Sequence, residues 1–423
     1  MIRKGRFSRQ GEGRVPQENA ITAALAGISG QYQPAFAPVA EAFAANFAER
    51  GELGASLCIE IGGQPVVDLW GGHVAPDGPR WERDTVHVVF SCTKAATALV
   101  LHLLVKDGAL DLDAPLRDIW PELTASQHGA TARMILDHSI GLPAVAEKAP
   151  AEALVHPDWM LRALERQTPF WQPGARVGYH ALTYGFLAGE VVRRVTGQSL
   201  GQVFHDRIAT PLGLDFHIGL PEAVEARVAP IQLWRPGPDD RPTAFLLAAR
   251  EAGSIPNLFV FNSGDWGSKG VNTRAGRAAE IGAANGVGHA RALARMFGAL
   301  ATGGAELGLS VDDIAGFSRA SSATGRDATL QMPTRFGPGF MLGMDNRHPA
   351  RGGESLIFGR NAFGHVGAGG SVGFADPEVE LSFAYTMNRQ GAGLLLNPRG
   401  QSLIDATYRA LGYRTNSPGF WAR

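Results

Sequence analysis

The segment VFSCTK (residues 89–94) joins an extended run, residues 86–90, to an apolar run, residues 95–105. If a helix begins near Ser91, Lys94 lies one turn on and on the same face, so the hydroxyl and the amine converge. A hydroxyl beside an amine is a candidate nucleophile with its base. The segment therefore predicts a catalytic pair at the start of a helix.

The same Ser-x-x-Lys spacing also occurs where a serine simply caps a helix. This chain has only five lysines, against 34 arginines and 19 serines, so a lysine three places after a serine is expected by chance only about 0.2 times. Apolar residues also surround this helix on all sides. Because a low-dielectric environment disfavours charge, it favours the neutral, basic form of Lys94. An ordinary surface lysine would not be placed there.

Composition limits the class of protein. The 423 residues are 45% hydrophobic and 19% charged, which is typical of a globular chain with one large core or two interleaved ones. A net charge of −1 leaves no basic excess for phosphates, so we expect no nucleic-acid partner. Cys58 and Cys92 are too few for a disulfide scaffold and fit a reducing compartment.

The amino end shows no targeting pattern. The basic residues 1–6 are followed by polar residues rather than by an apolar signal region. The longest apolar run, residues 95–105, is too short to span a bilayer. We therefore expect a cytoplasmic protein without a membrane partner.

Strand patterns lie at both ends of the chain, and helices and long loops lie between them. The strands are predicted at residues 55–61, 65–70, 362–367, 371–375 and 379–387. The first two flank Gly62-Gly63, a pair suited to a tight hairpin turn. This order predicts an α/β plus all-α fold, in which an antiparallel sheet flanked by helices is built from both termini and carries a helical insertion.

The same pattern predicts the domain organisation. We expect an N-terminal arm at residues 1–32, a discontinuous α/β domain at 33–110 and 355–423, and a helical domain with loops at 111–354. Helices are predicted near residues 21–28, 34–49, 181–195, 290–301 and 401–411.

Two further segments carry polar groups that could join Ser91. Tyr179 follows a turn and precedes a helix, where its phenol could point into a cleft, although a core tyrosine fits the position equally well. His365 lies in a polar strand near the carboxyl end. Catalysis would require these segments to meet at Ser91 and Lys94.

Several motifs, in this order along the chain, resemble the serine β-lactamase and penicillin-binding-protein superfamily. They are VFSCTK at 89–94, LDHSIGLP at 136–143, YHA at 179–181 and FGHVGAGGS at 363–371. Within that superfamily the last two are similar to family VIII carboxylesterases. The resemblance extends from about residue 34 to the carboxyl end and implies a β-lactamase-like fold.

The resemblance also implies roles for individual residues. Ser91 would be the acylated nucleophile, Lys94 the base or its partner, and Tyr179 the second member of the proton relay. The backbone N–H groups of Ser91 and Ala368 would form the oxyanion hole. The residues do not indicate whether Lys94 or Tyr179 is the general base.

Two of these motifs differ from the sequences that β-lactamases have at the same positions. Ala181 stands where the "YxN" box has asparagine, so a side-chain amide that could hold a lactam carbonyl is missing. His365-Val366-Gly367 replaces the "KTG" form, so a fixed cation for a substrate carboxylate is missing too. His365 and Gly367 would still contact the substrate, and both changes favour neutral esters.

A second serine competes for the role of nucleophile. Ser371 lies in GGSVG (residues 369–373), which has the G-x-S-x-G form of the α/β-hydrolase elbow. That elbow needs a helix after the serine and a histidine later in the chain, whereas a strand pattern follows and no histidine occurs beyond His365. We therefore expect Ser371 to be structural.

The sequence thus predicts a serine hydrolase that cleaves small-molecule carboxylic esters with short acyl chains through a Ser91 acyl-enzyme. No metal motif such as HExxH occurs, and we expect no cofactor. A β-lactamase or D-amino peptidase is one alternative, and a non-catalytic ligand-binding protein on the same scaffold is another. The oligomeric state is not indicated.

Overall fold

The strands form two antiparallel sheets in a computed structural model, which describes residues 27–235, 237, 242–348 and 354–423. The strand bounds are β1 Ile28–Tyr32, β2 Gly54–Ile61, β3 Gln64–Gly72, β4 His87–Val88, β5 Phe216–His217, β6 Val287–Gly288, β7 Ser322–Thr324, β8 Thr334–Phe336, β9 Met341–Leu342, β10 Phe363–Val366, β11 Val372–Asp376 and β12 Leu381–Met387.

The helices lie on both faces of the larger sheet and in a layer beyond it. The α-helices are α1 Ala37–Glu49, α2 Thr93–Lys106, α3 Ala132–Leu136, α4 Pro157–Arg166, α5 Thr183–Thr196, α6 Leu200–Phe204, α7 Thr210–Leu212, α8 Ala244–Ala248, α9 Ile255–Phe261, α10 Arg274–Ala278, α11 Ala290–Ala301, α12 Val311–Phe317 and α13 Pro398–Ala410. A π-helical turn covers His205–Ala209, and short 3₁₀ helices cover Pro34–Phe36, Phe90–Cys92, Leu116–Asp118, Thr124–His128, Glu222–Arg227, Gly270–Asn272 and Ala305–Leu307.

The larger sheet has nine strands in the order β1-β3-β2-β12-β11-β10-β9-β8-β7. The β2–β12 pair joins the strands from the two ends of the chain, and in it Ser56 lies opposite Thr386. The β2–β3 hairpin turns at Gly62 and Gly63, whose φ angles of 57° and 73° suit glycine. The prediction of an antiparallel sheet built from both termini is confirmed.

Each face of this sheet has its own helical cover. Alternate residues of β2, such as Leu57 and Ile59, join one core with α1 and α13. Cys58 points the other way, into the core that contains α11 and α2. This alternation follows from the period of two in a strand.

The sheet also extends beyond the segments to which the sequence assigned it. Strand β1 lies in the predicted arm, and β7, β8, β9 and α11 lie in the stretch predicted to be a helical domain. Strands β7, β8 and β9 have only two or three residues, too few to show a period of two, which is why the pattern missed these three. The arm before residue 27, with most of its predicted helix, lies outside the described residues, and the division into domains stays a prediction.

Helix α2 is the centre of the helical layer. Residues 93–104 of this helix are all buried, and α5 and α6 pack against it. Gly108 follows the helix with a φ of 71°, as expected of a glycine beyond a helix end. Within the described ranges, no helix combines the length and apolar character needed to cross a membrane.

Candidate active site

Ser91 lies in a short 3₁₀ turn, Phe90–Cys92, that leads directly into α2. Phe90 has a φ of 48°, a left-handed conformation that costs a bulky residue roughly 1–3 kcal/mol and is found chiefly at functional sites. The hydroxyl of Thr93 donates to the Phe90 carbonyl at 2.6 Å and accepts from the N–H of Gly286 at 2.8 Å. These bonds hold the strained turn and fix Ser91 at the start of the helix.

Lys94 is fully buried and has three partners. Its Nζ lies 3.0 Å from the Oγ of Ser91 and 2.8 Å from each of the carbonyl oxygens of Ala181 and Ala283. Burial holds the pKa of Lys94 well below its usual value. The sequence prediction that Lys94 is buried among apolar residues is therefore confirmed, whereas the two carbonyl partners had no sequence signal.

Tyr179 completes a group of three side chains. Its phenol faces the side chain of Ser91, and the Nζ of Lys94 lies 4.7 Å from the centre of its ring. Tyr179 is 6% exposed, and burial raises the pKa of its phenol, an effect that the neighbouring Ser91 side chain only partly offsets. Two of the three segments predicted to meet, that of Ser91 and Lys94 and that of Tyr179, therefore lie together.

The backbone of Tyr179 has a partner that sequence reasoning missed. Its N–H donates to both carboxylate oxygens of Asp327, at 2.9 and 3.0 Å. Asp327 is fully buried and lies 148 residues further along the chain. Nothing in its local sequence connects it with the "YxN" box.

Three histidines lie around Lys94 and Tyr179, and all are buried. His180 donates from Nδ1 to the Gly178 carbonyl at 2.7 Å and accepts the Leu142 N–H at Nε2, an arrangement that fixes its neutral tautomer. Burial lowers the pKa of His180 and of His365 to about 3. Burial likewise holds the pKa of His138 well below its usual value. These rings are therefore neutral near pH 7 and supply no cation.

His365 and Gly367 lie at the end of β10, beside the Phe90–Cys92 turn that carries Ser91. A Cβ on Gly367 would lie only 2.2 Å from the carbonyl oxygen of Val89, so only glycine allows this approach. The ring of His365 lies 6.1 Å from that of Tyr179, with its Nδ1 hydrogen-bonded to the Val366 carbonyl at 2.8 Å. The third predicted segment is thus next to the other two.

Ala368 follows Gly367 and is half-buried. Its carbonyl accepts a long hydrogen bond from Gln390, at 3.4 Å. In the part of the chain that the structure describes, neither the N–H of Ala368 nor that of Ser91 donates to a protein acceptor. Two free N–H groups next to a nucleophile are the elements from which an oxyanion hole is made.

Ser371 has none of these surroundings. Its side chain is fully buried, and its Oγ has no hydrogen-bond partner among the described residues. Strand β11 follows it rather than a helix. It therefore lacks both the base and the exposed turn of a nucleophile elbow. The described residues also contain no cluster of His, Cys, Asp and Glu that could hold a metal ion.

A serine, a lysine and a tyrosine in contact at the start of a buried helix, beside an antiparallel sheet, define the serine hydrolases of the β-lactamase and penicillin-binding-protein superfamily. The family model described as Beta-lactamase matches residues 39–404. The chain belongs to this family, and the resemblance found in the sequence is confirmed.

Individual relatives cover most of the chain. It is 35% identical over 383 residues to "Esterase/beta-lactamase LipL" of Mycobacterium tuberculosis (strain ATCC 25618 / H37Rv), covering 86% of this chain and 83% of the relative. A crystal structure of a family VIII carboxylesterase is 35% identical, with a TM-score of 0.75 over 90% of this chain and 99% of the other. A penicillin-binding protein homolog from Caulobacter crescentus is 36% identical, with a TM-score of 0.76 and the same coverage.

Proposed function

We propose that this protein is a carboxylesterase that hydrolyses small neutral esters with short acyl chains through an acyl-enzyme on Ser91. The observation that carries the proposal is the contact of Ser91 with both a buried lysine and a buried tyrosine. The similarity to proteins named esterase or carboxylesterase supports the same activity. An ester-hydrolysing site of this kind needs no cofactor.

The partners of Lys94 support its role as the base that accepts the Ser91 proton. A neutral amine has two hydrogens and one lone pair. The carbonyls of Ala181 and Ala283 accept the two hydrogens, each at 2.8 Å, so the lone pair is left for the Ser91 hydroxyl at 3.0 Å. Since burial favours this neutral form, Lys94 can take the proton as Ser91 attacks the ester carbonyl.

Tyr179 is suited to returning a proton rather than removing one. Its phenol stays protonated near pH 7, because burial raises its pKa. When the bond between the acyl carbon and the leaving oxygen breaks, the alkoxide takes a proton from Tyr179, and Lys94 replaces it with the proton taken from Ser91. Water then attacks the acyl-enzyme and gives a proton to the same pair. The bond between the acyl carbon and the Ser91 Oγ breaks, the acid leaves, and the pair returns the proton to the Ser91 oxygen.

The N–H groups of Ser91 and Ala368 are the proposed oxyanion hole. Both lie beside the nucleophile and are free of protein acceptors in the described ranges. Ser91 lies at the start of α2, where the helix dipole would further stabilise the negative charge of the oxyanion. The closeness of Gly367 to Val89 holds the Ala368 segment against the nucleophile turn.

The proposed preference for neutral esters rests on what the site lacks. Ala181 offers no amide side chain, and its backbone carbonyl is used by Lys94. His365 is buried and neutral, so it provides no cation for the carboxylate of a β-lactam or a peptide. We therefore propose that β-lactam hydrolysis, if it occurs, is a weak side activity. A cytoplasmic location stays a prediction.

Labelling and hydrolysis test the nucleophile together. We expect a fluorophosphonate to add one adduct to the wild-type protein, on Ser91, by intact-mass and peptide mass spectrometry. The Ser91→Ala variant should neither be labelled nor hydrolyse p-nitrophenyl acetate, whereas the Ser371→Ala variant should do both. Normal hydrolysis by Ser91→Ala together with its loss in Ser371→Ala would show that the assignment is wrong.

A substrate panel tests the ester preference. We expect kcat/KM to be higher for p-nitrophenyl acetate and butyrate than for nitrocefin or a D-Ala-D-Ala peptide. We also expect it to fall as the acyl chain lengthens. A higher value for nitrocefin would favour the β-lactamase alternative. An unlabelled Ser91 with no turnover of any substrate would favour a binding protein.

A further inference from the structure

We propose that Asp327 is a positioning residue that holds the phenol of Tyr179 on Ser91, an inference that rests on the proposed function. Tyr179 precedes α5 by four residues, so helical hydrogen bonds do not hold its backbone. Its N–H instead donates to both carboxylate oxygens of Asp327, at 2.9 and 3.0 Å. The backbone of the relay residue is therefore attached to a carboxylate.

Asp327 is itself held on several sides. Its carboxylate accepts the N–H groups of Thr329 and Leu330, at 2.8 and 2.9 Å, which closes a local turn. It also accepts the hydroxyl of Thr334, the first residue of β8, at 3.1 Å. All these donors are N–H or O–H groups rather than cations, and Asp327 is fully buried. The carboxylate thus links Tyr179 to β8, the strand next to the edge of the larger sheet.

Neighbouring contacts make this link rigid. The N–H of Ala328 donates to the Val177 carbonyl at 3.1 Å, so the two segments are joined on both sides of Gly178. The ring of Phe336, at the end of β8, stacks on the ring of Tyr179 with centroids 5.9 Å apart and planes 9° apart. One segment therefore holds both the backbone and the ring of Tyr179. Misplacing a catalytic group by about 1 Å can cost about 10²-fold in rate.

Two substitutions separate this role from local folding. In Asp327→Asn, the remaining oxygen can accept the three N–H groups, and the new amide can donate to Thr334. We expect its kcat to stay within a few-fold of wild type. In Asp327→Ser, the shorter hydroxyl can keep the turn to Thr329 and Leu330 but cannot reach Tyr179 as well. We expect its kcat to fall by about 10²-fold with little change in KM.

A double-mutant cycle gives a readout that a purely structural role would not affect. If Asp327 acts through the Tyr179 phenol, Asp327→Ser should lower kcat in the wild-type background but not further in Tyr179→Phe. Equal losses in both backgrounds, or a wild-type kcat in Asp327→Ser, would overturn the proposal. If Asp327→Ser does not fold, the same cycle is run with Asp327→Thr, which also replaces the carboxylate by one hydroxyl, and a kcat loss that persists in Tyr179→Phe contradicts the proposal.

Asp376 provides the matched control. It is also fully buried, and it accepts the hydroxyl of Tyr408 at 2.7 Å, away from the catalytic group. We expect Asp376→Ser to lower the Tm while leaving kcat unchanged at temperatures where the variant is folded. The rate of fluorophosphonate labelling at Ser91 keeps the two proposals apart. A wild-type protein that is labelled but hydrolyses no ester contradicts the esterase proposal, and the labelling rates of the Asp327 variants then test Asp327.

Discussion

Ser91 and Ser371 both lie in short motifs typical of serine hydrolases, but their surroundings differ in every respect that chemistry requires. The side chain of Ser91 contacts Lys94 and Tyr179 and lies at the start of a helix. Ser371 is fully buried ahead of a strand, and its Oγ has no partner within the described ranges. The comparison teaches that a base, a proton relay and access make a nucleophile, whereas a local motif does not.

Removing the base of the Ser91 region should have the largest effect. We expect Lys94→Met to lower kcat by up to about 10⁴-fold, because the Ser91 hydroxyl then has no base. Steady-state hydrolysis of p-nitrophenyl acetate measures this. The matched control is Lys106→Met at the other end of α2, which should keep its activity. Full activity of Lys94→Met would contradict the difference drawn between the two serines.

A glycine in each region sharpens the comparison further. In Gly367→Ala the new Cβ would meet the Val89 carbonyl oxygen at 2.2 Å. We expect the turn that holds Ala368 to shift and kcat to fall by about 10²-fold. In Gly373→Ala, two residues after Ser371, the Cβ would instead meet the ring of Phe297 at 2.7 Å. That variant should lose stability but retain kcat, and equal losses of kcat would argue against an oxyanion role for Ala368.

Acid should destabilise the Ser91 region through its buried histidines. In the folded protein burial lowers the pKa of His180 and of His365 to about 3, compared with about 6.5 for an exposed histidine. Below pH 6.5 the unfolded chain therefore binds protons that the folded chain does not, so the free energy of unfolding falls as the pH drops. By pH 5 the loss is about 2 kcal/mol for each histidine.

Urea unfolding at pH 7 and pH 5 measures this loss. The His365→Asn variant should show a pH dependence smaller by about 2 kcal/mol. An unchanged dependence in His365→Asn would mean that this ring is not held neutral by burial.

The smallest effect is expected at Ser371 itself. Because its buried hydroxyl has no partner in the described part of the chain, Ser371→Ala should raise the free energy of unfolding by about 1 kcal/mol. Ser56 is equally buried, but it is hydrogen-bonded to Thr386 at 3.0 Å and to the Ala290 N–H at 3.1 Å. Ser56→Ala should therefore destabilise the protein. Urea unfolding compares the two variants, and a clear loss of stability in Ser371→Ala would reveal a partner for its hydroxyl.

The sequence predicted those features that depend on local spacing. The hairpin at Gly62 and Gly63 follows from the glycines and the flanking strand patterns, and α11 follows from its apolar period. Ser91 and Lys94 could be paired because three residues along a helix bring them to one face. The order of the longer strands indicated a sheet made from both ends of the chain.

The features that were missed depend on contacts between distant residues or on backbone groups. The carbonyl of Ala283 lies 189 residues from Lys94 and belongs to the main chain, so no residue type indicates it. The sequence around Asp327 is typical of a surface turn, and only the folded chain brings this residue to Tyr179. The short strands β7 to β9 have too few residues to show a pattern.

The pairing of β2 with β12 has a consequence for the order in which the protein can be assembled during synthesis. Ser56 and Thr386, which face each other in this pair, are 330 residues apart. At a translation rate of about 5–20 residues per second, roughly 15–65 s pass between their synthesis. During that time β2 can pair with β3 but not with β12, its other neighbour in the sheet. Gly367 and Ala368, which follow β10, are also made late. The proposed oxyanion hole therefore cannot form before that part of the chain emerges, and we expect no ester hydrolysis by a nascent chain until then.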